Sequence, residues 1–287
     1  MVAAAWMIGA IASFTLMAVA GRAVAAELDT FETMLYRSLI GIPLVIGVAR
    51  LAGTLSSVTT RNLSLHAWRN IFHFTGQNLW FYALTVVPLA ELFALEFTSP
   101  LWVVVFAALF LGERLTIIKG IAAFLAFAGV ICVVQPAGAT LNPGHGAAAL
   151  SAIAFAATAI FTKKLTLSES TTCILFYITV MQAAFGIVAA GYDGDIALPS
   201  WTMLPWVIVI ACTGLGAHFC LTTALSFAPA SVVMPMDFVR LPVSAVVGVM
   251  LYTEPLELGT LLGAGLILLA NWLNIRGEMR LKQTKRA

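Results

Sequence analysis

Glu96 and Ser99 in the first half of the chain, and Asp237, Arg240 and Ser244 in the second, stand inside long runs of apolar residues. Ionisable side chains at such positions are costly in hydrocarbon and normally face a protein interior or a watery cavity, so each is a candidate for substrate contact. Positions i, i+3 and i+7 share one face of a helix. Glu96, Ser99 and Val103 hold that stripe in the first set, and a single offset carries them onto Asp237, Arg240 and Ser244 in the second. Asp237 and Arg240, three residues apart, can also satisfy each other as an ion pair that holds helices together, and the spacing serves both readings equally. Glu96 has no base at helical spacing, which favours a functional role for it.

Uncharged groups accompany these acids. The same offset carries Gln77 onto His218, with His73 and Asn78 beside the first. They can orient a polar substrate or act as interhelical glue, typically worth about 0.6–2 kcal/mol in membranes. Phe14, Tyr82, Trp102 and Phe155 supply rings on which an indole or phenyl group could stack, although each alone fits ordinary core packing equally well. Arg37 reads as packing or as part of a gate. Trp6, Trp68, Trp201 and Trp206, near the ends of apolar runs, read as interfacial anchors. Pro100, Pro235 and Pro242 interrupt the same two runs that carry the acids. A helix-interior proline removes a backbone bond, so Pro100 frees the carbonyl of Glu96 and Pro242 that of Phe238. These are candidate hinges.

No HExxH, GxSxG or P-loop motif and no paired intramembrane aspartates are present, so catalysis is not expected. Cys132, Cys173, Cys212 and Cys220 all lie in apolar runs, and no cysteine or histidine spacing suits a metal, so neither metal, disulfide nor cofactor is expected.

The elements that must position these groups follow from composition. Of 287 residues 61% are hydrophobic and only 10% charged, against about 45–50% and 25% in soluble domains, so most of the surface cannot face water. A net charge of +2 is too small to suggest a nucleic-acid partner. Apolar stretches predict ten spans of roughly 20 residues, near 3–24, 31–49, 67–86, 91–111, 116–135, 147–163, 171–190, 203–227, 231–251 and 258–275. The first lacks the basic start of a cleaved signal and is expected to stay as a span. Arg50, Arg61 and Arg69, Arg114 and Lys119, Lys163 and Lys164, and the tail Arg276, Arg280, Lys282, Lys285 and Arg286 share one side. Glu27, Asp29, Asp193, Asp195, Glu254 and Glu257 take the other, with Arg22 the one nearby base. The positive-inside rule then places both termini in the cytoplasm of a multi-pass inner-membrane protein whose partner is the lipid bilayer.

The offset that relates the two polar stripes extends along the whole chain. It also superposes Phe14 on Phe155, Arg22 on Lys163, Leu84 on Leu225, Pro88 on Pro229 and Glu113 on Glu254. Five spans per copy is an odd number, so the second copy must be inverted, which is typical of secondary transporters. The expected organisation is a first repeat at 1–140 and an inverted second repeat at 141–287 with a basic cytoplasmic tail. The runs Ala83-Leu84-Thr85-Val86-Val87-Pro88-Leu89-Ala90 and Leu111-Gly112-Glu113-Arg114-Leu115-Thr116 resemble the signature of the EamA-type drug/metabolite transporter superfamily. Their second copies are Ala224-Leu225-Ser226-Phe227-Ala228-Pro229-Ala230-Ser231 and Tyr252-Thr253-Glu254-Pro255-Leu256, which lacks the glycine before the glutamate. The resemblance covers essentially the whole chain. It implies an all-α polytopic membrane protein with ten transmembrane helices in two inverted five-helix repeats around a central cavity. Its nearest likeness is to YddG-type exporters of aromatic and other amino acids. The expected activity is export of amino acids with large or aromatic side chains by alternating access, with facilitated diffusion and proton coupling both open. Export of other small metabolites or lipophilic drugs is the alternative, and a non-transporting structural or receptor-like membrane protein is the rival of a different class.

Overall fold

The computed structural model describes residues 2–111, 117–134, 142–192, 194–227, 233 and 236–284. The motif residues 112–116 and 228–232, the loop 135–141, Asp193, Lys285, Arg286 and the expected hinge Pro235 lie outside the described residues.

The described chain is all-helical. Its α-helices are α1 (Val2–Val24), α2 (Thr30–Leu51), α3 (Leu63–Val86), α4 (Leu89–Glu96), α5 (Ser99–Leu111), α6 (Ile117–Val134), α7 (Pro143–Leu165), α8 (Thr171–Ala190), α9 (Leu204–Phe227), α10 (Arg240–Tyr252) and α11 (Leu258–Thr284). Five of them, α1, α2, α7, α8 and α9, are long and apolar enough to cross a membrane whole. The last helix runs on to Thr284, beyond the expected end near 275, because residues 278–284 are mostly good helix formers with no proline or glycine among them.

Local signals fix the ends. Asp29 and Glu32 form a reciprocal capping box at the start of α2. Asn142 caps α7 ahead of Pro143, and Ser170 caps α8 through the Cys173 amide.

The fourth predicted span is two helices rather than one. α4 ends at Glu96 and α5 begins at Ser99, because Pro100 offers no N–H to the Glu96 carbonyl. The ninth is interrupted at the matching place: a 3-10 turn at Asp237–Val239 leads into α10. Pro242 lies within α10 as a backbone position.

The most extensive packing pairs α1 with α9, α3 with α7, α2 with α8 and α6 with α11, and α4 lies against α10. Small residues permit the closest approaches. A Cβ at Gly186 of α8 would stand 2.9 Å from the Leu35 backbone of α2. Gly129 of α6 is similarly close to the Gly263 carbonyl of α11. The main apolar cluster joins Trp80, Phe81 and Leu84 of α3 to Leu92 and Phe93 of α4 and to Met17 and Val24 of α1. It fills the half of the bundle towards the α1 C-terminus. Smaller clusters gather around Met7, Ala10 and Leu225 and around Leu165, Ile174 and Ile178, and the cavity lies among the three.

Candidate functional site

The helix break in α4–α5 puts the Glu96 carboxylate at the end of a helix, and the 3-10 turn does the same for Asp237. Arg240 joins them. Its Nη2 donates to Glu96 Oε1 at 2.7 Å and to Asp237 Oδ2 at 2.6 Å, while the Trp80 indole donates to Glu96 Oε2 at 2.8 Å. The base that Glu96 lacked in its own helix is thus supplied from the other half of the chain. The internal pair between Asp237 and Arg240 exists as the spacing allowed, extended to three members. Phe14, Phe93 and Phe97 place their ring centres 4.7, 4.9 and 5.5 Å from the guanidinium carbon. The knot sets one base against two acids.

The knot borders a central cavity. Of the residues singled out in the sequence, Phe14, Gln77, Glu96, Ser99, Pro100, Phe155, His218, Asp237 and Arg240 line it. His73, named beside Gln77, lines it too and meets His218 edge to face at 4.6 Å between ring centres. Both ring nitrogens of His73, Nε2 of His218, Oε1 of Gln77, Oγ of Ser99, Oδ1 of Asp237 and Nε of Arg240 are buried with no protein partner. Protein interiors rarely leave such groups unpaired, and here they converge on one space.

Three expected site residues are not brought to the cavity. Trp102 is 36% exposed on α5, because it stands about 60° round that helix from Ser99, which does line the cavity. Tyr82 is 43% exposed on α3. Asn78 is buried, but it lies about 100° round α3 from Gln77, and its amide donates to the Phe74 carbonyl at 2.8 Å.

The structure also adds residues that sequence reasoning missed. Arg69, expected to flank a loop, is 1% exposed and lines the cavity. Trp80, Thr158 and Thr162 line it as well. The available signal was the run Arg69, His73, Gln77, Trp80, spaced four, four and three residues, which keeps one face of α3.

Two further charged contacts frame the bundle. Arg22 pairs with Glu254, and its Nε and Nη2 donate to the carbonyls of Leu84 and Val87 at 2.9 and 2.7 Å. Glu254 Oε2 accepts the N–H of Leu89 at 2.9 Å. At the other end of the bundle Lys163 Nζ donates to the Leu225 carbonyl at 3.0 Å. Each cation sits where a helix exposes unpaired carbonyls at its C-terminus.

Among the described residues His66, Glu169 and Cys173 are the one set of three groups close enough to share a metal, their ligand atoms lying within 4.8 Å of one another. Two of the three already accept hydrogen bonds from neighbouring protein groups. Glu169 accepts from Asn62 at 2.6 Å and from the Thr59 hydroxyl at 2.8 Å, and Cys173 accepts the Thr59 N–H. The cluster ties the segment before α3 to the loop before α8. Burial pushes the Glu169 carboxyl up, but the hydrogen bonds from Asn62 and Thr59 outweigh it and hold the group below its ordinary 4.5. A lowered value stabilises the fold above the ordinary carboxylate range, and that contribution is lost as pH falls through the folded-state value. The melting temperature of the purified protein is therefore expected to fall below about pH 4.5, and Glu169→Gln is expected to lower it by about 2–4 °C at pH 7 with a shallower acid limb. An unchanged melting curve for this variant would refute the assignment.

The fold agrees with what similar proteins are. The EamA-like transporter family matches twice, over residues 1–135 and 142–276. The chain belongs to the EamA-like transporter family. It is 25% identical over 284 residues to the S-adenosylmethionine uptake transporter of Rickettsia bellii, covering 98% of this chain and 95% of that one. It is 31% identical over 222 residues to the riboflavin transporter of Rhizobium johnstonii (75% and 71%), and 26% identical over 269 residues to the pseudopaline exporter of Pseudomonas aeruginosa (92% and 93%). A solved crystal structure aligns with a TM-score of 0.69 and 19% identity over 97% of this chain and 98% of that one, which shows the fold. The chain is a membrane transporter of this family.

Proposed function

We propose that this transporter moves amino acids and amino-acid-like zwitterions carrying large or aromatic bodies, outward across the inner membrane, by alternating access. The convergence of unpartnered buried polar atoms on a ring-lined cavity, bordered by the Arg240 knot at a broken helix, carries the reading. Interrupted helices and polar groups near the membrane midplane are where such transporters hold their cargo. The rings of Phe14, Phe97, Trp80 and Phe155 supply an apolar wall for a large substituent. A second reading, transport of amino-acid conjugates, draws on the relative named for S-adenosylmethionine, a methionine extended by an adenosyl group on a cationic sulfur.

Alternating access requires two related halves, here 1–140 and 141–287 with opposite topology and both termini cytoplasmic. Exchanging the halves turns the α1–α9 pair into the α7–α3 pair and leaves α2–α8 and α6–α11 unchanged. The four most extensive pairings therefore form a set closed under that exchange. Under the same exchange, the bond from Arg22 to the Leu84 carbonyl becomes that from Lys163 to the Leu225 carbonyl.

Counterflow in proteoliposomes, with and without a pH gradient, tests the function. Preloaded phenylalanine, tryptophan or S-adenosylmethionine is expected to drive accumulation of labelled phenylalanine several-fold over empty vesicles. Exchange of lipophilic cations or riboflavin, with no competition by any amino acid, would overturn the reading.

A further inference from the structure

The two ends of the cavity carry opposite charge. At one end the Arg240 knot holds two acids against one base, all three buried. The charge of Arg240 is already matched there by two carboxylates, so this end favours a cation over a substrate anion. At the other end Arg69 is a buried guanidinium whose protein partners are neutral. Nε donates to the Thr162 hydroxyl and Nη1 to the Asn70 amide oxygen, both at 3.2 Å. No acid pairs with it among the described residues. Arg37 stands behind it, 5% exposed with Nη1 unpartnered, near enough for its charge to act on Arg69. A guanidinium has five N–H donors in a planar fork suited to a carboxylate or phosphate, and Arg69 has donors left over. Holding two uncompensated bases in the membrane interior is expensive, and an anionic ligand relieves that cost.

The separation of the ends matters as much as their signs. Trp80, which holds Glu96, is eleven residues beyond Arg69 on α3, or about 16 Å along the axis. Both side chains lean the same way, towards the helix N-terminus, so their polar atoms keep much of that distance. In a free α-amino acid the ammonium and carboxylate share one carbon, so the molecule engages one end at a time. His73 and Gln77 line the wall between the two ends, with unpartnered acceptor and donor atoms for a polar middle section.

Resting on the reading that this cavity is the substrate site, we infer that Arg69 is the anion subsite, and that the fully occupied cavity holds an elongated zwitterion, its anionic group at Arg69 and its cationic group at the Glu96–Asp237 end. Amino acids extended through a long or cationic side group belong to this class.

Binding of ω-amino carboxylates to the purified protein, read as thermal stabilisation, tests the inference without requiring transport. The series runs from 4-aminobutanoate through 6-aminohexanoate and 8-aminooctanoate to 11-aminoundecanoate. Affinity is expected to rise along the series by at least tenfold, and 8-aminooctanoate is expected to bind at least tenfold more tightly than 8-aminooctan-1-ol. Arg69→Gln should erase the preference for the acid over the alcohol, and Arg69→Lys should retain part of it. If the glutamine variant does not fold, the acid–alcohol comparison on the unaltered protein still decides. Equal binding of acid and alcohol, or affinity independent of chain length, would overturn the inference even if phenylalanine counterflow proceeds. Absence of counterflow alongside length-dependent, Arg69-dependent binding would instead overturn the transport reading and leave the subsite standing.

Discussion

Arg240→Ala is expected to yield a protein that barely accumulates, whereas Glu96→Gln/Asp237→Asn/Arg240→Gln accumulates and does not transport. Arg240 is the shared partner of two carboxylates, at 2.7 and 2.6 Å, in a site with little solvent. Removing it leaves two buried acids facing each other, and breaking a buried ion pair by deleting one partner typically costs about 3–5 kcal/mol. That is a large fraction of the stability of an ordinary folded protein. Neutralising all three members removes the charge problem together with the charge, because the polar side chains remain able to hydrogen-bond one another and the Trp80 indole. The measurement is membrane abundance and melting temperature of both variants, followed by counterflow on whichever folds. Normal abundance and normal transport for Arg240→Ala would make the knot dispensable and would remove the cationic end of the proposed site. Failure of the triple variant to fold would mean that the knot is structural first.

The ten spans were legible because a hydrocarbon layer imposes a length and an apolarity that few other environments demand, and because charges placed inside such runs stand out. Glu96, Asp237 and Arg240 were visible on that ground. So was the break beside Pro100, since proline removes a donor wherever it sits. What the sequence could not supply was rotation and partnership. Trp102 was placed near the cavity by its offset of about 60° from Ser99 on the same helix, and that offset is enough to leave it off the cavity wall. The partner of Glu96 lies 144 residues away, where no spacing rule reaches. Arg69 escaped notice for another reason. It stands within seven residues of the start of α3, among bases that the positive-inside pattern already accounts for, so a substrate-facing arginine looked like one more cytoplasmic flank. The stripe from Arg69 to Trp80 separates the two explanations, because an orientation signal has no reason to keep one helix face.

The second large effect is expected beyond the knot, at the end of the bundle where α3 terminates. Glu254→Gln should open a path into the cavity from the side away from the N-terminus. Arg22 and Glu254 tie together the ends of four helices there, α1, α3, α4 and α10. Arg22 closes the C-terminus of α3 through the Leu84 and Val87 carbonyls, and Glu254 accepts the first N–H of α4 from the end of α10. Thr253 has φ 56°, a conformation uncommon outside glycine, and this turn folds Glu254 back over α10. A Cβ at Gly248 would collide with a Glu254 carboxylate oxygen, so the glycine leaves room for that return. The pair is half-shielded, with side chains 15% and 14% exposed. Its loss lies between the surface and buried cases, about 2 kcal/mol, which shifts a two-state equilibrium roughly 30-fold. Met17 lines the cavity on this side of its middle and reports the change. In a background lacking the four native cysteines, Met17→Cys is expected to react with a membrane-impermeant maleimide from the terminal side alone. Adding Glu254→Gln should make it react from both sides, at least tenfold faster than before on the newly opened one. Gly248→Ala should act in the same direction, since it displaces the carboxylate without removing it. Unchanged one-sided labelling in both variants would show that the ion pair fastens the helices without governing access, and that closure of this end belongs to the apolar packing of Leu84, Leu92 and Phe93.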